Sequence, residues 1–264
     1  MTKIIVLIPH YNNFEDLILS IKSINESINV DILIVDDGSK SSVPVKSELE
    51  NFYQHGKIFL DILEENKGIE FALNRGLELI ESMDYEYIGR LDSGDFCIKD
   101  RFKKQISYLE TNKDTYLLGT WVNVINADKE LSYVLKHPIS YNEIKKKMFT
   151  NSMFVHPSVV FRKSILKNVG YYPTNYKAAE DYAFFFRIVN NYKSENLPEA
   201  LLNYVIDDKS ISSTKRKLQV KSRIRVILYN FRFGFYPIYG LVRNVLLYFI
   251  SRKTSHNIKR IFRA

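Results

Sequence analysis

Four short apolar runs alternate with stretches in which apolar residues recur at helical spacing over the first ninety positions. Lys3 to Ile8, Val30 to Val35 and Lys57 to Leu63 are continuous runs of strand length, and Tyr85 to Leu91 alternates apolar and polar positions. Between them Leu17, Ile18, Ile21 and Ile24 mark a helix capped by Asn12 or Asn13, Val43 to Tyr53 a second, and Asn66-Lys67-Gly68 opens a third that carries Ile69, Ala72, Leu73, Leu77 and Ile80. Strands alternating with helices predict right-handed crossovers and parallel pairing. The expected class is α/β.

The pattern then changes. A helix is predicted over Lys99 to Leu109, a strand or strand pair over Tyr116 to Ile125, and an amphipathic helix over Tyr141 to Phe149 with Lys145, Lys146 and Lys147 outward. Trp121 reads as core or as a platform for a second substrate. Ala179-Glu180-Asp181-Tyr182 begins a helix with Phe184, Phe185, Ile188 and Val189 inward, and Leu197 to Val205 reads as a last strand. Residues 207–215, rich in Ser and Lys, read as a linker. Beyond them Val220, Ile224, Ile227, Leu228 and Phe231 recur helically among basic residues, and Tyr239 to Ile250 repeats the idea around Arg243.

Charge divides the chain at the same place. Net charge is +8, yet residues 215–264 hold 13 Lys or Arg and no acidic residue, while residues 1–214 hold 25 basic and 30 acidic ones. A basic tail bearing Tyr229, Phe231, Phe233, Phe235, Tyr236 and Tyr248 suits an anionic membrane surface, and a packed helix pair or an oligomer contact is the alternative. No apolar stretch of about 18 residues exists, and no nucleic-acid-binding module is recognisable. The single cysteine, Cys97, excludes an internal disulfide, and the apolar run at the start is too short for a signal peptide before Pro9. A cytoplasmic location is expected.

Candidate chemistry collects where strands end. In open α/β sheets, ligands bind outside the carboxyl ends of the strands. The four exits here are Pro9-His10-Tyr11-Asn12, Asp36-Asp37-Gly38-Ser39, Asn66-Lys67-Gly68 and Arg90-Leu91-Asp92-Ser93-Gly94-Asp95. Neither G-x-G-x-x-G nor a P-loop occurs. Asp92 and Asp95 suit a hard divalent cation beside a phosphate-bearing ligand, or form an ordinary acidic turn. Glu180 and Asp181 open a helix, where acids also favour the macrodipole. His156, before Pro157, is a packed turn residue or a group facing the same region.

These pieces, in this order, resemble glycosyltransferase family 2, the GT-A enzymes that build bacterial surface polysaccharides. Pro9-His10-Tyr11-Asn12 is similar to the family's P-x-Y-N, Val35 to Ser39 to V-D-D-G-S, and Asn66 to Gly76 to N-x-G…A-x-N-x-G. Arg90 to Asp95 stands where the family has R-x-D-x-D-D, His156-Pro157-Ser158 with Arg162 resembles H-P-S-x-x-x-R, and Glu180-Asp181 with Arg187 resembles its E-D segment. One position departs: Gly94 stands where the family has a carboxylate.

The resemblance implies a GT-A fold, a Rossmann-like, mixed and mainly parallel sheet flanked by helices, over residues 1–206. Residues 1–98 would bind the nucleotide-sugar and 99–206 the acceptor, followed by the linker and a basic amphipathic helical appendage over 216–264. Pro9, Tyr11, Asp37, Lys67, Asn74, Arg90 and Asp92 are the implied nucleotide-sugar contacts, Asp95 and Asp92 the ligands of Mg²⁺ or Mn²⁺, and Asp181 the catalytic base. His156 and Glu180 fall in the diphosphate or acceptor region. The implied reaction is inverting transfer from a nucleotide-sugar such as a UDP-hexose or UDP-N-acetylhexosamine. Its acceptor would be a lipid-linked oligosaccharide, lipopolysaccharide or capsule glycan at the inner membrane face. A non-catalytic binder of sugar nucleotides and a nucleotidyltransferase are the alternatives.

Overall fold

The computed structural model describes residues 3–206 and 216–249; the expected linker and residues 250–264 lie outside them. Ile4–His10 (β1), Asp31–Asp36 (β2), Ile58–Ile62 (β3) and Tyr87–Arg90 (β4) pair in parallel in the order β3-β2-β1-β4. Phe14–Ser23 (α1), Lys46–Glu50 (α2) and Ile69–Glu81 (α3) are the crossovers. All seven residues of β1 are buried, which is why it reads as an unbroken apolar run: Ile5 and Leu7 face one core cluster and Ile4, Val6 and Ile8 the other. The helix expected over Val43 to Tyr53 shortens to α2: Val45, just after Pro44, is extended, and Tyr53 turns inward to donate its hydroxyl to the Val30 carbonyl.

The second half extends the same sheet with mixed pairing. Phe96–Cys97 (β5), Thr115–Ile125 (β6), Leu131–Leu135 (β7), Val160–Arg162 (β8) and Lys193–Val205 (β9) bring the described strands to nine, in the order β3-β2-β1-β4-β8-β6-β9-β5 with β7 on β6. β8 runs antiparallel to β4 and β6, whereas β9 runs parallel to β6 through several register shifts. Arg101–Thr111 (α4), Tyr141–Lys147 (α5), Leu166–Val169 (α6) and Glu180–Asn191 (α7) complete this half. The sheet is therefore mixed, parallel mainly in its first half.

The described part of the tail folds back on the domain. Arg216–Tyr229 (α8) and Phe235–Phe249 (α9) pack on the domain. Val226 and Ile227 join the core cluster that contains Phe184, Phe185 and Phe186 of α7. On α9, a Cβ added to Gly240 would come 1.9 Å from the Phe149 carbonyl oxygen, so glycine is needed for the helix to approach this closely. Asn244 and Arg243 both donate to the Thr150 carbonyl there. No described helix is long and apolar enough to cross a membrane.

Candidate active site

The exits of β1 and β2 are stitched together by polar side chains that the apolar strands carry to the edge. His10 Nδ1 lies 2.7 Å from Asp36 Oδ1, both groups being fully buried, and the Asp37 N–H donates to the His10 carbonyl at 2.8 Å. Asn12, at a φ of 53°, turns the chain and accepts from the N–H groups of Lys40 and Ser41. Asp37 then receives the next loop, its two carboxylate oxygens each 2.9 Å from an N–H, that of Lys67 and that of Gly68. Gly38, at a φ of 68°, lets that loop close in, since a Cβ would stand 2.4 Å from the Glu65 backbone.

Below the β4 exit a buried arginine organises the wall. Arg90 is wholly buried; its guanidinium donates to the Leu7 carbonyl, to Asp92 Oδ1 at 2.6 Å and to His156 Nε2 at 3.3 Å. His156 also bonds Tyr172 through Nε2 at 2.9 Å. Burial and the Arg90 charge hold the His156 pKa well below its usual range, so the ring is neutral, accepts at Nε2 and carries its proton on Nδ1.

A cleft of about 700 Å³ opens above this wall. Of the residues singled out from sequence, Pro9, Tyr11, Asp37, Asp92, His156, Glu180 and Asp181 line it. Tyr11 presents its ring with 46% exposure. Four others are placed elsewhere. Arg90 braces Asp92 and His156 from beneath; the Lys67 side chain is exposed beside Glu65, and only its backbone N–H serves the site. Asn74 clamps Tyr172 by bonding its N–H and its carbonyl at 2.8 and 2.9 Å. Asp95, expected as the principal metal ligand, is buried and accepts the Val205 N–H at 2.9 Å. Burial, with Asp92 nearby, drives the Asp95 carboxyl well above the ordinary carboxylate range. Asp92 is thus the one carboxylate that the 92–95 turn gives to the cleft.

Donor chemistry sets what cation could sit there. Among the described residues no three His, Cys, Asp or Glu side chains converge on a metal site, Gly94 contributes no ligand, and one Asp92 oxygen is held by Arg90. A single available carboxylate fits a hard cation that takes most of its ligands from diphosphate oxygens and water; it does not fit a site built by the protein alone.

At the opposite wall, α7 begins with Glu180 and Asp181. Burial raises both carboxyls, the like charge of Asp181 adding to the rise at Glu180, which reaches about 8. Asp181 is held in place by the Tyr182 N–H, 2.7 Å from Oδ1. Among the described residues, Ser93 Oγ, Asn151 Oδ1 and Glu180 Oε2 are buried polar atoms of the lining with no hydrogen-bond partner, the condition a polar ligand would relieve.

Sequence reasoning missed His10, Asn151, Tyr204, Gln219 and Arg223, all of which line the cleft. His10 stood next to Tyr11 in a recognised exit. Gln219 and Arg223 lie on a helix whose basic composition gives no signal that one side of it lines a cleft.

The family model for glycosyl transferase family 2 matches residues 5–170. The chain belongs to that family. It is 32% identical over 216 residues to the O-antigen biosynthesis glycosyltransferase WbnJ of Escherichia coli, covering 80% of this chain and 81% of that one. It is 30% identical over 257 residues to the amylovoran biosynthesis glycosyltransferase AmsE of Erwinia amylovora, with 94% and 92% covered. The crystal structure of S. aureus TarS 1-349 in complex with UDP-GlcNAc superposes with a TM-score of 0.68 at 18% identity, covering 98% of this chain and 76% of that one. The fold is GT-A and the protein is a glycosyltransferase.

Proposed function

We propose that the chain transfers a sugar from a nucleotide-sugar, a UDP-hexose or UDP-N-acetylhexosamine, to a hydroxyl of a lipid-linked or lipopolysaccharide-type glycan with inversion at the anomeric carbon. One observation carries the reading: a single cleft joins Tyr11, Asp37 and Asp92, at the strand exits, to Asp181 at the start of α7. Tyr11 offers an exposed ring to the base, and Asp37, fixed by the two N–H groups of the neighbouring loop, offers remaining lone pairs to the base N–H. The unpartnered Ser93 Oγ, beside Asp92, suits a diphosphate oxygen.

Asp181 takes the proton of the acceptor hydroxyl as its oxygen attacks the anomeric carbon; the new C–O bond forms while the bond to the diphosphate breaks on the opposite face. An α-linked donor yields a β-linkage. Mg²⁺ or Mn²⁺, held by Asp92, would neutralise the charge developing on the leaving diphosphate. Neutral His156, fixed by Arg90 and Tyr172, presents a donor and not a second positive charge.

A peripheral position on the cytoplasmic membrane face accompanies this reading. Lys217, Lys221 and Arg225 form an exposed basic row along α8, and Phe235, Tyr239, Val242, Leu246 and Phe249 form an exposed apolar row along α9. Together they match an interfacial surface.

The test is release of nucleotide from a panel of nucleotide-sugars with Mg²⁺ or Mn²⁺, by the wild type and by Asp181→Asn. Release of UDP by the wild type and its loss in the variant support the reading. Equal release from both removes Asp181 from its role, and release of pyrophosphate would mark a nucleotidyltransferase.

A further inference from the structure

We propose that a second pocket, between α7 and α8, binds the phosphate of an anionic phospholipid headgroup with Arg187 as its cation, and so holds the cleft in one orientation over the membrane. The inference rests on the reading of α8 and α9 as an interfacial surface.

Ala183 and Arg187 of α7, Val226 and Tyr229 of α8, and Asn175 and Tyr176 before α7 help to enclose about 210 Å³, and no residue of this lining belongs to the cleft. The volume is below that of sites that take a whole metabolite and suits a headgroup. Arg187 donates one N–H to the Tyr171 carbonyl, while its Nε is buried with no hydrogen-bond partner among the described residues. A second guanidinium flanks the wall: Arg225 lies 5.3 Å from the Tyr176 ring centre and donates to the Asn175 carbonyl at 3.0 Å. No acidic residue lines the pocket, and among the described residues neither arginine forms an ion pair. A phosphate supplies the anion both lack, and the planar guanidinium fork matches its oxygens two at a time.

The rim identifies the source of that phosphate. Lys217, Lys221, Arg225 and Tyr229 are spaced four apart and lie along one helix face, so the exposed basic row of α8 runs to the edge of the pocket. Tyr229 is 78% exposed, and Phe233, at 94%, and Phe235 are exposed on the chain that follows it. Aromatic rings of this kind enter a bilayer at the headgroup level, which brings the phosphate plane to the pocket mouth. A phosphate free in solution needs no such rim. The coupling to the cleft is short: Arg187 follows Asp181 on α7 by about 9 Å along the helix axis, and Val226 of the pocket follows Arg223 of the cleft by one turn of α8. A headgroup held at Arg187 therefore orients the base relative to the membrane.

Sedimentation with vesicles of phosphatidylcholine and phosphatidylglycerol tests this on the full chain, with UDP and Mg²⁺ present to fill the cleft. Arg187→Gln should weaken binding by about 30-fold, the scale of charge-assisted hydrogen bonding, and Arg187→Lys should retain part of it. Lys221→Gln, the same change of charge on the exposed row, should cost only about fivefold. Because Arg187 also holds the Tyr171 carbonyl, Tyr229→Phe is the second variant: it removes an exposed hydroxyl and no charge, and should lose about threefold. Calorimetry separates the sources. Dihexanoyl phosphatidylglycerol below its micelle concentration should bind the wild type and not Arg187→Gln, and glycerol 1-phosphate, without acyl chains to meet the aromatic rim, should bind about tenfold more weakly. Equal losses in Arg187→Gln and Lys221→Gln, full vesicle binding by Tyr229→Phe, or glycerol 1-phosphate binding as tightly as the lipid would overturn the site. If the wild type binds no vesicles, the interfacial reading fails by itself. Calorimetry then decides: short-chain lipid binding abolished by Arg187→Gln supports the pocket, and no binding, or binding that survives the substitution, overturns it.

Discussion

Arg90 and Asp92 form an ion pair across the last turn of β4, Nη2 to Oδ1 at 2.6 Å, in which the arginine is wholly buried and the aspartate side chain keeps 29% exposure. The pair converts a buried charge into a fixed orientation for a cleft residue, and the same guanidinium reaches His156. Breaking such a pair by removing one partner leaves an uncompensated charge. Arg90→Met removes the charge that Asp92 leans on and leaves the Leu7 carbonyl only the Leu91 N–H, at 3.4 Å. The expected cost is about 3 kcal/mol, or a Tm lower by roughly 6–12 °C, measured by calorimetric or fluorescence melting. An unchanged melting curve would show that Arg90 does not hold this wall.

Burial raises Asp181, and a base works only when deprotonated. Activity therefore rises with pH through a value above the ordinary aspartate range, and the acid limb of the kcat/KM profile reports it. Glu180, raised to about 8, is protonated at pH 7. Glu180→Gln mimics that protonated form and should keep kcat at pH 7 within a few fold, whereas Asp181→Asn should lose about 10³-fold.

Gly94 stands at a φ of 102°, and a Cβ there would meet only the Asp16 carboxylate, at 3.6 Å. Space exists for the side chain the family carries. Gly94→Asp should cost about 1 kcal/mol for the left-handed backbone, yet strengthen Mn²⁺ binding in the presence of UDP by several fold. Isothermal titration with UDP and Mn²⁺ reads both the metal and the nucleotide, and unchanged Mn²⁺ affinity would exclude position 94 from the metal's surroundings.

The exposed row on α9 makes its own prediction. Val242→Glu with Leu246→Glu leaves Pro237, Gly240 and Asn244, the buried face, untouched. Each replacement removes a side chain whose burial in the interface is worth on the order of 1–2 kcal/mol. The double variant should stay folded and leave anionic vesicles on sedimentation. Undiminished vesicle binding, or a dimer that the variant dissociates, would contradict a membrane role.

The first half of the fold was legible because β1 and β2 are buried on both faces and their crossover helices on one, so burial alone sets the apolar runs and the helical spacing. Tyr11, Asp37 and Asp92 were legible for the related reason that ligands gather where such strands end. Arg90, Asn74 and Asp95 do not line the cleft; each bonds a distant part of the chain, His156, Tyr172 and Val205 respectively, and no local pattern announces such a partner. The two-residue β5 and three-residue β8 are too short to carry a period. On α8 the basic residues masked a packed helix, because Val226 and Ile227 face the core while Arg223 on another side turns into the cleft.

The central claim is single displacement with Asp181 as the base. Its most direct test is the anomeric configuration of the product, read by proton NMR from an α-linked UDP-sugar donor, with Asp181→Asn in parallel. The account predicts a β-linked product from the wild type and none from the variant in the same time. An α-linked product, or the same product at the same rate from Asp181→Asn, would contradict it.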